Sequence, residues 1–138
     1  MKKLIFAIFV SLLLASQVFA ESTGDVRVDV LAKSSYSWDG SLLTEFSKGT
    51  PEITILRIFI PAGAILPMHK HPVINAGVMI NGELTVFTED KKTLHLKAGD
   101  AIIEVVNKWH YGKNEGNKAA EIIVFYASTT DMPITLKK

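Results

Sequence analysis

Three histidines carry the strongest chemical signal in this sequence. His69 and His71 are one residue apart, and side chains two positions apart on an extended strand point to the same face. Two imidazoles directed at one point suggest a metal site, because histidine is the commonest protein ligand of transition metals. His110, in the segment NKWHYGKN, is the natural third ligand. The pattern predicts one divalent transition metal, without distinguishing iron, manganese, zinc, nickel or copper.

The composition limits the chemistry that the chain can carry. There is no cysteine, so a metal site must use nitrogen and oxygen ligands, and no disulfide can stabilise the fold. The 15 basic and 14 acidic residues nearly cancel, which argues against binding nucleic acid or an anionic membrane through bulk charge. We therefore expect a small-molecule ligand or substrate as the partner, and no nucleic acid.

The first twenty residues are typical of a signal peptide. A short basic start precedes an apolar run over residues 4–14, and Ala20 ends a small-residue pattern that a signal peptidase would cut. A membrane anchor is the alternative, but the run is shorter than the ~20 residues of a spanning helix. The sequence predicts an exported protein, periplasmic or secreted, that loses residues 1–20 and keeps residues 21–138 as one domain without a membrane attachment.

The rest of the chain alternates short β-type segments with turns. Residues 52–60 are almost continuously apolar and β-branched, which predicts a central buried strand, and residues 119–127 predict a final core strand. Asn81-Gly82 is a strong hairpin signal between apolar segments. Further strands are predicted at residues 24–31, 78–80, 83–88, 93–97 and 101–106, with an edge strand or tail at 131–138. Without helical periodicity, the pattern predicts an all-β antiparallel sandwich or barrel.

The segment GAILPMHKHPVINAGVMING resembles the first motif of the cupin superfamily, whose small barrels often bind a metal. That motif is G-x5-H-x-H, followed by a glutamate and a closing glycine. Gly63, His69, His71 and Gly82 match it, whereas the glutamate position is Asn75. The family glutamate usually serves as a fourth protein ligand beside three histidines. The resemblance therefore makes Asn75 a candidate fourth ligand or a hydrogen-bonding partner of a ligand.

The second cupin motif, G-x5-P-x-G-x2-H-x3-N, is matched in part. Gly99, His110 and Asn114 fall at its spacing, while Val105 and Asn107 replace its proline and second glycine. The resemblance spans about residues 52–127. It implies an antiparallel jelly-roll β-barrel, and a homodimer is the assembly that small cupins lead us to expect.

Replacing the family glutamate with Asn75 changes the expected charge of the site. An amide brings no charge, so a divalent metal held by three neutral histidines would keep its full positive charge. Water bound to it would be more acidic, and an anion such as a carboxylate or enolate would be favoured in the open positions. The alternative is that the metal was lost together with the glutamate, leaving the histidines as hydrogen-bonding pocket residues.

Glu104 and Tyr111 are the candidate catalytic residues. Glu104 lies in the apolar segment AIIEVV; facing inward, its pKa would rise with burial and suit an acid or base, and facing outward it would be surface decoration. Tyr111 and Trp109 flank His110 and are expected either to cover the pocket mouth or to pack at the barrel rim. A polar side chain near the bound ligand would favour catalysis, whereas an apolar wall would favour binding alone.

Four more residues have expected positions. Gly77 and Met79 share a strand face with Asn75, so they should line the cavity, with Gly77 leaving space beside the metal. Arg57 either points inward to hold a carboxylate or forms an ion pair with a nearby acid. His95 is expected on the solvent face.

These observations leave three classes of function. The first is an exported metalloenzyme acting on a small polar molecule, with oxygenase, isomerase or lyase chemistry all compatible with a cupin barrel. The second is a non-catalytic module that binds a small molecule or the metal itself. The third, a purely structural protein, does not explain three histidines at motif spacing.

Overall fold

Two antiparallel β-sheets face each other in the computed structural model, which describes residues 24–138. The strands are β1 (Pro51–Ile60), β2 (His69–Lys70), β3 (Ile74–Asn81), β4 (Glu83–Thr88), β5 (Thr93–Lys97), β6 (Ala101–Ile103), β7 (His110–Lys113), β8 (Ala120–Thr129) and β9 (Leu136–Lys137). One sheet has the strand order β1-β8-β3-β6 and the other the order β5-β4-β7-β2-β9. This confirms the predicted all-β jelly-roll class.

The first twenty residues, predicted to be a signal peptide, lie outside the described part of the chain. Between residues 24 and 138, no helix has the length and apolar character needed to cross a membrane.

The ladder between β1 and β8 is the longest in the fold. The prediction that residues 52–60 form a central buried strand is wrong, because β1 is the edge strand of its sheet and its outer face is exposed. All ten residues of each strand pair, from Pro51 opposite Thr129 to Ile60 opposite Ala120. Because strand side chains alternate, the even-numbered residues 54–60 and 120–126 face the other sheet. Together with side chains from β3, β4 and β5, they form the core: Ile60, Met79, Leu84, Val86, Leu96, Ile122 and Val124.

The predicted Asn81-Gly82 hairpin is wrong. β3 pairs with β6 and β8, whereas β4 pairs with β5 and β7, so the turn passes the chain from one sheet to the other. The glycine is needed for a different reason. At φ 71°, a Cβ on Gly82 would lie 2.7 Å from the Ala119 carbonyl oxygen. Asn81-Gly82 is therefore a turn, as predicted, but the two strands that it connects do not pair with each other.

Three other predicted strands differ from the structure. Residues 24–31 form no strand, because the alternating valines find no partner strand among residues 24–138. The strand predicted at 101–106 ends at Ile103, after which the chain bends toward Asn107 at φ 57°. Asn107 occupies a motif glycine position, and asparagine is one of the few other residues that tolerate this conformation. At the carboxyl end, only Leu136–Lys137 form an edge strand.

Candidate metal centre

The three motif histidines meet inside the barrel. His69 on β2 is paired directly with His110 on β7, and His71 follows two residues after His69 on the same side. The ring centroids are separated by 4.4 Å (His69 to His110), 4.9 Å (His69 to His71) and 5.1 Å (His71 to His110). One nitrogen of each ring lies within 4.8 Å of the others, a grouping that could hold a metal ion.

Backbone carbonyls orient each imidazole. The Nδ1 atoms of His69, His71 and His110 lie 2.7, 2.8 and 2.9 Å from the carbonyl oxygens of Pro67, Ile134 and Lys108. A carbonyl oxygen only accepts, so each Nδ1 must donate its hydrogen. The Nε2 atom of each neutral ring is then left with a free lone pair, which is how histidines are commonly prepared to bind metals.

Burial keeps two of these histidines neutral. It lowers the pKa of His71 to about 4, against the opposing hydrogen bond to the Ile134 carbonyl. The pKa of His110 is likewise lowered to about 4 by burial, against its hydrogen bond to Lys108. Neutral imidazoles at ordinary pH are the protonation state that a metal requires.

Glu104 faces into the same cavity. Its Oε2 atom lies 3.8 Å from Nε2 of His110, and neither atom has a hydrogen-bond partner within residues 24–138. Burial raises the pKa of Glu104 to about 7, although its carboxyl also accepts a hydrogen bond from the Val105 N–H. Of the two orientations considered from the sequence, the structure shows the inward one.

Asn75 is buried and is not among the residues that line the cavity at the histidines. Its Oδ1 has no hydrogen-bond partner in the described chain. The Glu104 N–H donates to the Asn75 carbonyl at 3.1 Å, which continues the ladder between β3 and β6. The carboxylate next to the histidines therefore comes from the position opposite Asn75.

The cavity at the histidines is small and mostly apolar. Its volume is about 50 Å³, room for a metal ion with a few waters or a small ligand. Apart from the histidines and Glu104, aliphatic residues of both sheets and Tyr126 form the wall. Gly77 and Met79, expected to line it, do not: Met79 is buried in the core, and a Cβ on Gly77 would lie 3.0 Å from the Ile123 carbonyl oxygen and 3.1 Å from Ile122.

A wider opening of about 200 Å³ adjoins the histidines on the side of β9. It is lined by Leu56, Pro67, His69, His71, Tyr126, Thr135 and Lys137, among others. The Thr135 hydroxyl lies 3.1 Å from Nδ1 of His71. Burial and the negative charge of Glu104 raise the pKa of Tyr126 to about 12, so this phenol keeps its proton.

The sequence reasoning missed Tyr126, Thr135 and Lys137 as pocket residues. Tyr126 had a usable signal, because it shares the inward face of β8 with Ile122 and Val124 and is the only polar side chain among these three. Thr135 and Lys137 belong to a segment predicted as an edge strand or tail, and no local pattern links that segment to the histidines.

Tyr111 and Trp109 lie away from the cavity. They flank the inward His110, so strand alternation turns both outward. Tyr111 stacks on Phe87 with centroids 5.0 Å apart, and Trp109 packs with the Lys70 ammonium 5.0 Å from its ring centroid. Of the two roles considered for these aromatics, packing at the barrel surface is the one observed.

Two further candidates are also on the outside. The Arg57 guanidinium forms an ion pair with Glu121 at 2.9 Å, which is the second of the two roles considered for it. His95 is exposed, as expected, and its Nδ1 lies 2.9 Å from the Thr85 hydroxyl.

The chain matches a known protein family in sequence and several solved structures in fold. The family profile described as the cupin domain matches residues 56–126, just over half of the chain. No curated protein sequence matches the chain.

Solved structures with a similar fold include three proteins. An oxalate oxidase in complex with the substrate analogue glycolate has a TM-score of 0.54 and 22% identity, covering 62% of this chain. A protein with a double-stranded β-helix domain from Klebsiella pneumoniae has a TM-score of 0.54 and 20% identity, covering 68% of this chain and 84% of its own. The DMSP lyase DddQ from Ruegeria pomeroyi has a TM-score of 0.54 and 15% identity, covering 75% of this chain. The chain spans 45% of the oxidase and 49% of the lyase.

Proposed function

Because this chain belongs to the cupin domain family, we propose that His69, His71 and His110 hold one divalent transition metal beside which a small anionic molecule binds and reacts. The observation that carries the proposal is the convergence of three imidazoles whose Nδ1 atoms are all held by backbone carbonyls. When bound, the metal supplies Lewis-acid chemistry or, if it is redox-active, oxygen chemistry.

The buried polar atoms of the cavity support this assignment. Nε2 of His110 and Oε2 of Glu104 are buried without a hydrogen-bond partner in the part of the chain that the structure describes. Leaving such atoms unpaired costs about 1–3 kcal/mol each. Purely structural histidines would be expected to use both nitrogens, so the free Nε2 favours a metal over simple hydrogen bonding.

The charges around the cavity favour an anion. His71 and His110 are neutral, so Glu104 is the one residue of the described chain lining the cavity that could offset part of a divalent metal's charge, and Lys137 adds a positive charge at the outer opening. The small inner volume restricts the ligand to a few heavy atoms beside the metal. Glycolate, which is bound by one structural neighbour, is an anion of this size.

Glu104 is proposed as the acid or base of the reaction. Its carboxyl faces the cavity 3.8 Å from Nε2 of His110, and its Oε2 has no hydrogen-bond partner in the described chain, so it is free to exchange a proton with a bound molecule. A group of this kind can take a proton from a bound molecule or return one to it. Isomerase or lyase chemistry needs such a step, whereas oxygenase chemistry additionally needs a redox-active metal.

A non-catalytic binding module is the second candidate function. The observation that favours it is the wall of the cavity, which is aliphatic apart from the histidines, Glu104 and Tyr126. In that case Glu104 would balance the charge of the metal and would transfer no proton.

Metal content is the first test. The protein is purified without a histidine tag and analysed for metals beside a His69→Ala/His110→Ala variant and a His95→Ala control, whose histidine is exposed and distant from the cluster. We expect close to one equivalent of a single transition metal in wild type and control and none in the double variant. Metal-free wild-type protein that still folds and takes up no added metal would refute the site.

Ligand binding is the second test. Calorimetric titration of the metal-loaded protein with glycolate and oxalate should show binding that weakens in Lys137→Ala and is unchanged in Lys97→Ala, an exposed lysine elsewhere. Glu104→Gln separates the two candidate functions. A catalyst would lose turnover and keep ligand binding, whereas a binding module has no turnover to lose.

Export is a separate part of the proposal. It rests on the signal-peptide pattern of residues 1–20 alone. Sequencing the amino terminus of protein recovered from the periplasm or medium should find Glu21 first; an uncleaved chain in the cytoplasm would contradict it.

A further inference from the structure

His71 differs from the other two histidines of the cluster in what orients its ring. For His69 and His110, the carbonyl oxygen that accepts from Nδ1 lies two residues earlier in the chain. For His71, the acceptor is the Ile134 carbonyl at 2.8 Å, 63 residues away along the chain. Two of the rings are therefore oriented by local backbone, whereas the orientation of His71 depends on where a distant segment lies.

That distant segment is residues 134–138, here called the strap. It contains β9, which lies at the edge of the five-stranded sheet and has β2 as its single strand neighbour among residues 24–138. The ladder covers two residues of each strand, and the Lys138 N–H adds a hydrogen bond to the Met68 carbonyl at 3.1 Å. The Lys138 ammonium also pairs with Glu89 at 3.1 Å, but both side chains are exposed, so this pair stabilises little. An edge strand held by so few hydrogen bonds can open locally while the rest of the sheet stays paired.

The strap also forms part of the wall of the outer opening. Thr135 and Lys137 line that opening together with His71. The Thr135 hydroxyl is a second acceptor for the Nδ1 hydrogen of His71, at 3.1 Å. Moving the strap away from β2 would therefore take both acceptors from His71 and widen the opening at the same time.

We propose that the strap completes the metal centre. While it is paired with β2, it holds the His71 ring with the hydrogen on Nδ1, which leaves the lone pair of Nε2 free for a metal. When the strap leaves β2, the ring can turn and its hydrogen can move to Nε2, so the site loses one oriented ligand. The inference rests on the metal site proposed above, because the partner of a ligating histidine affects metal affinity only where a metal binds.

Removal of the strap is the direct test. A chain that ends at Pro133 is compared with the full chain, both metal-free and at neutral pH, by NMR of the histidine ring nitrogens, which shows which nitrogen carries the hydrogen. We expect His71 to lose its single Nδ1–H form, whereas His110 keeps that form in the same spectrum. Metal affinity, measured by competition with a chelator, should fall about 10–100-fold. Thr135→Val, which removes the hydroxyl and leaves the Ile134 carbonyl, should keep the Nδ1–H form of His71.

A reversible disulfide tests the strap in a chain of full length. Lys70 and Leu136 face each other across β2 and β9, and the chain has no cysteine, so Lys70→Cys/Leu136→Cys can form one bond that pins the strap. In the metal-free protein, exchange of the His71 ring hydrogen with solvent should slow at least about tenfold on oxidation and recover on reduction. The ring hydrogen of His110 should exchange at the same rate in both forms.

Two results would overturn the proposal. One is a folded chain ending at Pro133 in which His71 keeps its Nδ1 hydrogen, and the other is a His71 exchange rate that oxidation leaves unchanged. If the shortened chain does not fold, the exchange measurement decides. Both readouts are made without metal, so failure of the metal site is seen separately: the full chain would take up no metal while His71 still depended on the strap.

Discussion

Asp39 and Glu104 are both buried carboxyl groups, yet their surroundings are opposite. The Asp39 carboxylate accepts hydrogen bonds from the Ser41 N–H and hydroxyl, both at 2.9 Å, and is paired with the Lys108 ammonium. Burial alone would disfavour its charge, but these partners outweigh burial and hold its pKa at about 2. Glu104 has no comparable partner, and burial raises its pKa to about 7.

Two buried asparagines repeat the contrast. Asn114 donates from Nδ2 to the carbonyl oxygens of Ile60 and Lys118 at 2.9 and 2.8 Å, and its Oδ1 accepts from the Gly116 N–H at 3.0 Å. Asn75 leaves its Oδ1 unpaired within the described chain. Asp39 and Asn114, whose polar atoms are satisfied, are part of the scaffold, whereas the unpaired Oε2 of Glu104 lies in the cavity with the histidines, where a bound metal and ligand would complete it.

The largest expected loss of stability is at Asn114, the asparagine whose polar atoms are all hydrogen-bonded. Asn114→Ala removes hydrogen bonds to several buried backbone groups, so we expect it to lower the free energy of unfolding by about 3–4 kcal/mol. Urea unfolding at neutral pH measures this. A loss below about 1 kcal/mol would mean that Asn114 is not a structural anchor.

At the satisfied carboxylate, Asp39→Asn should cost about 2 kcal/mol near pH 7, because the charge that pairs with Lys108 is lost. The folded pKa of about 2 lies below the usual value of 3.8. The contribution is therefore complete above pH 3.8, and the difference between wild type and variant should shrink as the pH falls toward 2. A difference that stays constant over this range would contradict the ion-pair explanation.

At Glu104, the buried carboxyl without a comparable partner, substitution should raise the free energy of unfolding instead of lowering it. Glu104→Gln is expected to raise the stability of the metal-free protein by about 1–2 kcal/mol near pH 8, because an unpaired buried charge is removed. The folded pKa of about 7 lies above the usual 4.5. The gain should therefore be absent below pH 4.5, grow as the pH rises from 4.5 to 7, and be complete above pH 7.

Unfolding in the presence of a chelator, at pH 4 and pH 8, checks this prediction. Loss of stability in Glu104→Gln at pH 8 would show that Glu104 has a structural partner and would remove the contrast with Asp39. The same variant, loaded with metal, should lose turnover if Glu104 is the acid or base.

The smallest change in stability is expected at Asn75, the asparagine whose Oδ1 is unpaired in the described chain. Asn75→Leu keeps the approximate volume and removes an unpaired buried oxygen, so stability should change by less than about 1 kcal/mol. Metal content should also stay close to that of wild type, because Asn75 does not line the cavity at the histidines. A variant that loses its metal would instead support Asn75 as a ligand.

Local sequence pattern was enough to predict the features that depend on the alternation of apolar residues and on the spacing of the histidines. The apolar, β-branched runs at residues 52–60 and 119–127 became the paired strands β1 and β8, although β1 lies at the edge of its sheet. The spacing of His69 and His71 placed them on one side, and the second cupin motif added His110. The Asn81-Gly82 turn was also evident. Its strands belong to different sheets, and a turn signal contains no information about which strands will pair.

The sequence by itself determined the all-β class, the His69 and His71 pair and the absence of thiolate ligands, because each follows from residue types and local spacing. His110 was added to that pair by its match to the second cupin motif. The tertiary structure decided which way Glu104 and Tyr111 face, that the cavity carboxyl lies opposite Asn75, and that Lys137 reaches the opening. Those facts depend on where a strand ends and which strands become neighbours. Both are set by packing between residues far apart in the chain, which no local pattern encodes.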